Sequence, residues 1–155
     1  MNTNSLSFLL KVAAILWIIW GLVHTFAGVI TISAVASGNI ASGFSGIADA
    51  VDPTTFQLEY PNAVGGILGQ HGFNLLWFGL VTTIGAIGVW QKMGWAILLN
   101  ALVGGLADLG YFIFLDLGGF VHFVPGTVMT IVSYTAIAIS LYAYFSSDML
   151  TKFKR

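Results

Sequence analysis

Gly69-Gln70-His71-Gly72-Phe73-Asn74-Leu75-Leu76-Trp77-Phe78 sits inside an apolar run from Ala63 to Trp90. A run of that length reads as a membrane-spanning helix, which needs about 20 mostly apolar residues. An imidazole and two amides in such a helix must find partners or line a polar space, because lipid offers them none. Three further runs have the same character: Val12 to Val35, Trp95 to Leu115 and Phe120 to Phe145. Only 7 % of the 155 residues are charged and 57 % are hydrophobic, against about a quarter charged in a soluble domain. The expected fold is therefore all-α: a single integral membrane domain over residues 1–155, built as an antiparallel four-helix transmembrane bundle.

Gln91-Lys92-Met93-Gly94 and Asp116-Leu117-Gly118-Gly119 are short enough to force antiparallel neighbours. The long connection, residues 36–62, differs. Gly38, Gly43 and Gly46 keep its first half from becoming a span, and Phe44 to Val51 suits a short interfacial turn. Asp52-Pro53-Thr54-Thr55 offers a capping aspartate with proline at the first helical position, which predicts a short helix to about Glu59, stopped by Pro61. Ala34-Val35-Ala36 resembles a signal cleavage site, but the apolar run before it exceeds a signal core and only Lys11 precedes it, so the expectation is a retained first span.

Basic residues set the orientation. Lys11, Lys92, Lys152, Lys154 and Arg155 fall on one side, and Asp49, Asp52, Glu59 and Asp116 on the other. Basic residues mark the cytoplasmic side. Both termini are expected there, with the acidic 36–62 loop outside. In size and hydropathy the chain is similar to small four-span bacterial membrane proteins, which implies the inner (cytoplasmic) membrane. Membrane lipid is then its first partner, and a homo-oligomer or a larger membrane complex is compatible. With a net charge of −1 and no basic aromatic cluster, no nucleic-acid partner is expected. The absence of cysteine excludes disulfides and thiolate chemistry.

At 100° per residue each span shows a face of small and polar residues. These are Trp17, Gly21, His24, Gly28 and Thr31 on the first, and Ile67, His71, Asn74, Phe78, Thr82 and Gly85 on the second. The third shows Asn100, Gly104, Asp108 and Tyr111, and the fourth His122, Gly126, Met129, Ser133, Ser140 and Tyr144. At about 1.5 Å per residue from the outer ends, His24 and Asn74 lie roughly 17 Å deep, His71 about 12 Å, Asp108 about 11 Å and His122 about 3 Å. The pattern predicts an outward-facing polar pocket lined by His24, His71, Asn74, Trp77, Asp108, Tyr111 and Met129.

Asp108 is the most informative of these. A carboxylate in a span costs at least about 2.5 kcal/mol on insertion scales, so it needs a proton or a partner. No Lys or Arg is available at its depth, which leaves His24, His71, Asn74 and Tyr111 as candidates. One reading is structural hydrogen bonding between helices. The other is a proton-handling Asp–His pair, with Asp108 and His71 as the catalytic acid and base.

His24, His71 and Asp108 could also form a two-His, one-carboxylate metal set, and His24 with His71 a bis-His haem site. No HExxH, CxxCH or dense His/carboxylate run accompanies them, so no metal ligand is assigned and the cofactor stays undetermined. Gly65, Gly66, Gly69 and Gly72 lack the lysine of a phosphate loop, and Ser133 and Ser140 lack a base. Three functions fit: a membrane protein binding a small lipophilic ligand such as a quinone or lipid, an accessory or scaffold subunit of a membrane complex, and an intramembrane acid–base enzyme of isomerase or hydratase type. Without an internal repeat, four helices leave little for alternating access.

Overall fold

The computed structural model describes residues 3–47 and 59–152. Its helices are α1 (Thr3–Ala36), α2 (Ile40–Ser45), α3 (Asn62–Trp90), α4 (Gly94–Tyr111) and α5 (Val128–Lys152). Among the described residues four helices are long and apolar enough to cross a membrane. They close a ring in which α1 packs on α3, α3 on α4, α4 on α5 and α5 back on α1.

Burial is inverted relative to a water-soluble bundle. The outer surface carries Phe26, Ile84, Leu102 and Leu106, each at least 60 % exposed. Thr31, Thr82, Asn100, Asp108, Thr130, Ser133 and Ser140 are buried. Several hydroxyls bond back to their own helix, as Thr25 does to the Gly21 carbonyl at 2.8 Å and Ser140 to that of Ala136 at 2.7 Å. Asn100 instead reaches across and donates to the Thr82 carbonyl at 3.0 Å.

The α1–α3 seam follows a seven-residue repeat. Gly65, Gly72, Gly79 and Ala86 are buried on α3, alternating with Leu68, Leu75, Thr82 and Val89. On α1, Ala14, Gly21 and Gly28 repeat at the same interval. Gly21 meets Gly79, and Gly28 meets Gly72 and Leu76. A Cβ on Gly28 would stand 2.5 Å from the Leu76 nitrogen, so only glycine permits this approach. Small residues at such spacing let two backbones come together where side chains would hold them apart.

A compact apolar core fills one half of the ring. It comprises Leu6, Leu10, Trp17 and Trp20 of α1, Ala86 and Val89 of α3, Ala96 and Ile97 of α4, and Ala136 and Ala143 of α5. The α3–α4 connection lies at this end. It closes with Lys92 nitrogen donating to the Val89 carbonyl at 2.9 Å and Met93 nitrogen to that of Gly88 at 2.9 Å. This paired closure requires a left-handed residue after the helix, a place usually held by glycine. Here Lys92 occupies it, at φ 65°.

Two helix starts differ from the sequence expectation. Helix α1 begins at Thr3 rather than Val12, since Leu6 and Leu10 extend its buried face. Helix α5 begins at Val128 rather than Phe120. Val124 is extended at φ −111°, ψ 128°, as expected of a residue preceding proline, which is pushed out of the helical region. His122 consequently lies in the irregular connection and is exposed. The end of α4 widens into a π-type turn, Phe112–Asp116, and Asp116 accepts a 2.6 Å hydrogen bond from Thr127.

In the long connection, the glycine-rich first half, expected only not to form a span, carries the short helix α2. Asn39 caps it by accepting from Ser42 nitrogen at 3.0 Å. The turn expected over Phe44 to Val51 begins in the last residues of this helix and is present at Gly46 and Ile47, where Ile47 nitrogen donates to the Phe44 carbonyl at 3.1 Å; beyond Ile47 it lies outside the described residues. So does nearly all of the helix expected after Asp52.

Candidate functional site

Opposite the apolar core, the other half of the ring encloses a cavity of about 750 Å³. Each element contributes according to its register. Helix α1 places Val23, His24 and Ala27 there, α3 places Leu68, His71, Leu75 and Phe78, and α4 places Ala107, Asp108 and Tyr111. Met129 of α5 closes the remaining wall. Phe44 and Tyr60 cover the end beneath the long connection, with their rings 5.2 Å apart. Ile67, Phe114 and Phe120 also line the cavity while remaining 69 %, 73 % and 48 % exposed, so they form its mouth.

Asp108 anchors the polar wall. It is 3 % exposed, and its Oδ2 accepts from the Trp20 indole at 2.7 Å and from the Ser133 hydroxyl in a short contact. Its other oxygen, Oδ1, faces His24 Nε2 at 3.8 Å. That separation exceeds a hydrogen bond.

His24 is held firmly. Its ring stacks on Trp20 at 3.6 Å between centroids with 20° between planes, and Nδ1 lies 2.8 Å from the Trp20 carbonyl. A carbonyl can only accept, so Nδ1 carries a proton and Nε2 is the nitrogen turned toward Asp108. Trp20 thus serves both groups: its carbonyl fixes the imidazole tautomer, its ring fixes the imidazole plane, and its indole holds the carboxylate.

His71 stands apart from this network. It lines the cavity, but among the described residues no hydrogen bond or ion pair joins it to Asp108 or to any other protein group. Tyr111 lines the cavity, and its buried hydroxyl has no hydrogen-bond partner among the described residues.

Of the residues expected at the pocket, His24, His71, Asp108, Tyr111 and Met129 meet around the cavity, and Asn74 and Trp77 do not. The Trp77 indole donates to Asn74 Oδ1 at 3.2 Å along the side of α3, where Trp77 is 37 % exposed. The reason is the face. At 100° per residue the buried residues Leu68, Gly72, Leu75 and Gly79 cluster on one side of α3, while Asn74 lies about 120° and Trp77 about 180° around the helix from them. Asp108 meets His24 rather than His71, and its closest partners are residues outside the expected set, Trp20 and Ser133.

Ser133 shares a helical face with Met129 and was legible as interior. Trp20 carried a weaker signal, an indole N–H in an apolar run that must find an acceptor when buried. Gln70 lines the cavity as well.

Among the described residues no three His, Asp or Glu side chains converge on one point. His24 has one nitrogen bonded to its own helix and the other turned to Asp108. Comparison with protein-family profiles, with curated proteins and with solved structures finds no match to this chain.

Proposed function

We propose that this chain is an integral membrane protein, an antiparallel four-helix bundle with both termini cytoplasmic, whose non-cytoplasmic half binds a small lipophilic molecule. The observation that carries the reading is the 750 Å³ cavity with one polar wall. Small-molecule sites are typically cavities of roughly 300–1,000 Å³, mostly apolar, with a few convergent polar groups. The apolar exterior supports insertion. The opposed register of α1 and α3, with Gly21 on Gly79 and Gly28 on Gly72, supports the antiparallel arrangement. Lys11 lies 5.3 Å from the Trp90 ring, at the end that also holds Lys92, and this supports a cytoplasmic face opposite the cavity.

The test is thermal unfolding of the purified protein in nanodiscs, with and without membrane-lipid fractions, quinones and sterols. At least one should raise the melting temperature, and His71→Ala should remove that rise while leaving unliganded melting nearly unchanged. A chain that no fraction stabilises would be a scaffold subunit instead.

A second reading, acid–base chemistry on the bound molecule, draws on the approach of His24 to Asp108 at the cavity wall. In that reading His71, facing the same cavity without a protein partner, is the group free to exchange a proton with the ligand. Conversion of a bound compound by the native protein, and its loss in Asp108→Asn with binding retained, would favour it.

A further inference from the structure

The cavity's polar wall also bears on the charge of what it holds. We infer that the occupant is an uncharged amphipathic molecule that presents a hydroxyl or carbonyl oxygen to the polar wall, of the alcohol or quinone type, and that His71 is its hydrogen-bonding partner. This rests on the ligand-binding reading above.

No Lys or Arg lines the cavity. A carboxylate or phosphate would enter without a counter-charge and would face Asp108, and a buried unpaired charge is strongly disfavoured. An ammonium would need Asp108 as its counter-ion. Half of the carboxylate is already engaged: Oδ2 accepts from Trp20 and Ser133, while Oδ1 stands 3.8 Å from the fixed His24 ring. Oδ1 would be the single carboxylate oxygen left for three ammonium protons.

A neutral oxygen meets neither obstacle. His71 has ring nitrogens without a protein partner, and a neutral imidazole offers one donor and one acceptor, matching either a carbonyl or a hydroxyl. The remainder of the molecule would run along Leu68, Leu75, Phe78 and Met129 toward the apolar mouth at Ile67 and Phe114.

The experiment measures equilibrium binding of radiolabelled farnesol to the full chain in nanodiscs, above that to empty nanodiscs. Unlabelled decylubiquinone, palmitate and dodecylamine serve as competitors. Farnesol should bind and decylubiquinone should displace it, while palmitate and dodecylamine at equal concentration should not. His71→Leu should weaken farnesol by roughly tenfold, the equivalent of one lost hydrogen bond. His71→Gln, which keeps a donor and an acceptor, should recover most of that loss. Asn74→Ala, outside the cavity, should change nothing.

Displacement by palmitate or dodecylamine, or direct binding of either that His71→Leu weakens, would overturn the inference while leaving the ligand-binding reading intact. Farnesol binding indifferent to His71→Leu would overturn it as well. Failure of all four probes to bind would count against both.

Discussion

Asp108 and His71 are both ionisable residues within membrane-length helices, yet the structure uses them differently. Asp108 is integrated: its Oδ2 accepts from two buried donors, Trp20 on α1 and Ser133 on α5. Removing it orphans the Trp20 indole, whereas Ser133 can still donate to the Thr130 carbonyl at 3.0 Å. Asp108→Ala should therefore lower stability by roughly 1–3 kcal/mol, the cost of one unsatisfied buried donor, read by chemical unfolding in mixed micelles. Asp108→Asn keeps an accepting oxygen of the same shape and should lose clearly less. His71 is unintegrated, so His71→Ala should shift the same unfolding curve by less than about 1 kcal/mol. A large loss there would mean that His71 holds helices together rather than awaiting a ligand. Sequence alone could not separate the two, because depth and face are similar for both and only the partners differ.

The seven-residue glycine repeat makes its own predictions for the helices. Gly28 and Gly79 lie where α1 and α3 touch backbone to backbone. Valine at either position would overpack the seam and destabilise by about 1–3 kcal/mol or more, seen as a fall in melting temperature. Gly66 has open space where its Cβ would be. Gly66→Ala should instead stabilise by up to about 1 kcal/mol, through helix propensity alone. Opposite signs for Gly79 and Gly66, both on α3, would confirm the seam; the same sign would refute it. The α3–α4 turn offers a further contrast. Lys92 sits at φ 65°, a conformation costing a side-chain-bearing residue about 1 kcal/mol. Lys92→Gly should relieve that strain and raise the melting temperature, despite removing a charge. The repeat was present in the sequence as Gly21, Gly28, Gly65, Gly72 and Gly79, but the face drawn on α3 was centred on His71 and Asn74. Asn74 lies about 120° around the helix from Leu68 of the buried seam, so the centre of the face, rather than its period, decided which side chains point inward.

For the molecule as a whole, the decisive measurement is topology. The chain has no cysteine, so single cysteines can be introduced without removing any. Gln91→Cys, at the α3–α4 turn, should react with a membrane-impermeant maleimide only after the membrane is opened. Ser37→Cys, at the end of α1, should react in intact cells. The reverse pattern would invert the orientation, and labelling of both in intact cells would argue against a sealed four-span arrangement. The cavity's relation to the two ends follows from the same result, since it lies at the Ser37 end of the ring and the apolar core at the Gln91 end.

Composition and run length were sufficient to establish four long apolar helices, because the hydrophobic requirement of a span is additive along the chain and needs no neighbour. The interior placement of His24, Asp108, Tyr111 and Met129 was legible for a related reason: polar and small residues in an apolar run segregate to one helical face. What required the tertiary structure was every question of partnership. Trp77 could satisfy Asn74 within a single turn of α3, and so both left the site. Trp20 could satisfy Asp108 only across 88 positions of sequence. Val124 left the helix because of the proline that follows it, which moved the start of α5 and took His122 out of the bundle. A hydrogen bond depends on distance between two specific atoms, and the chain acquires those distances only when its helices have packed.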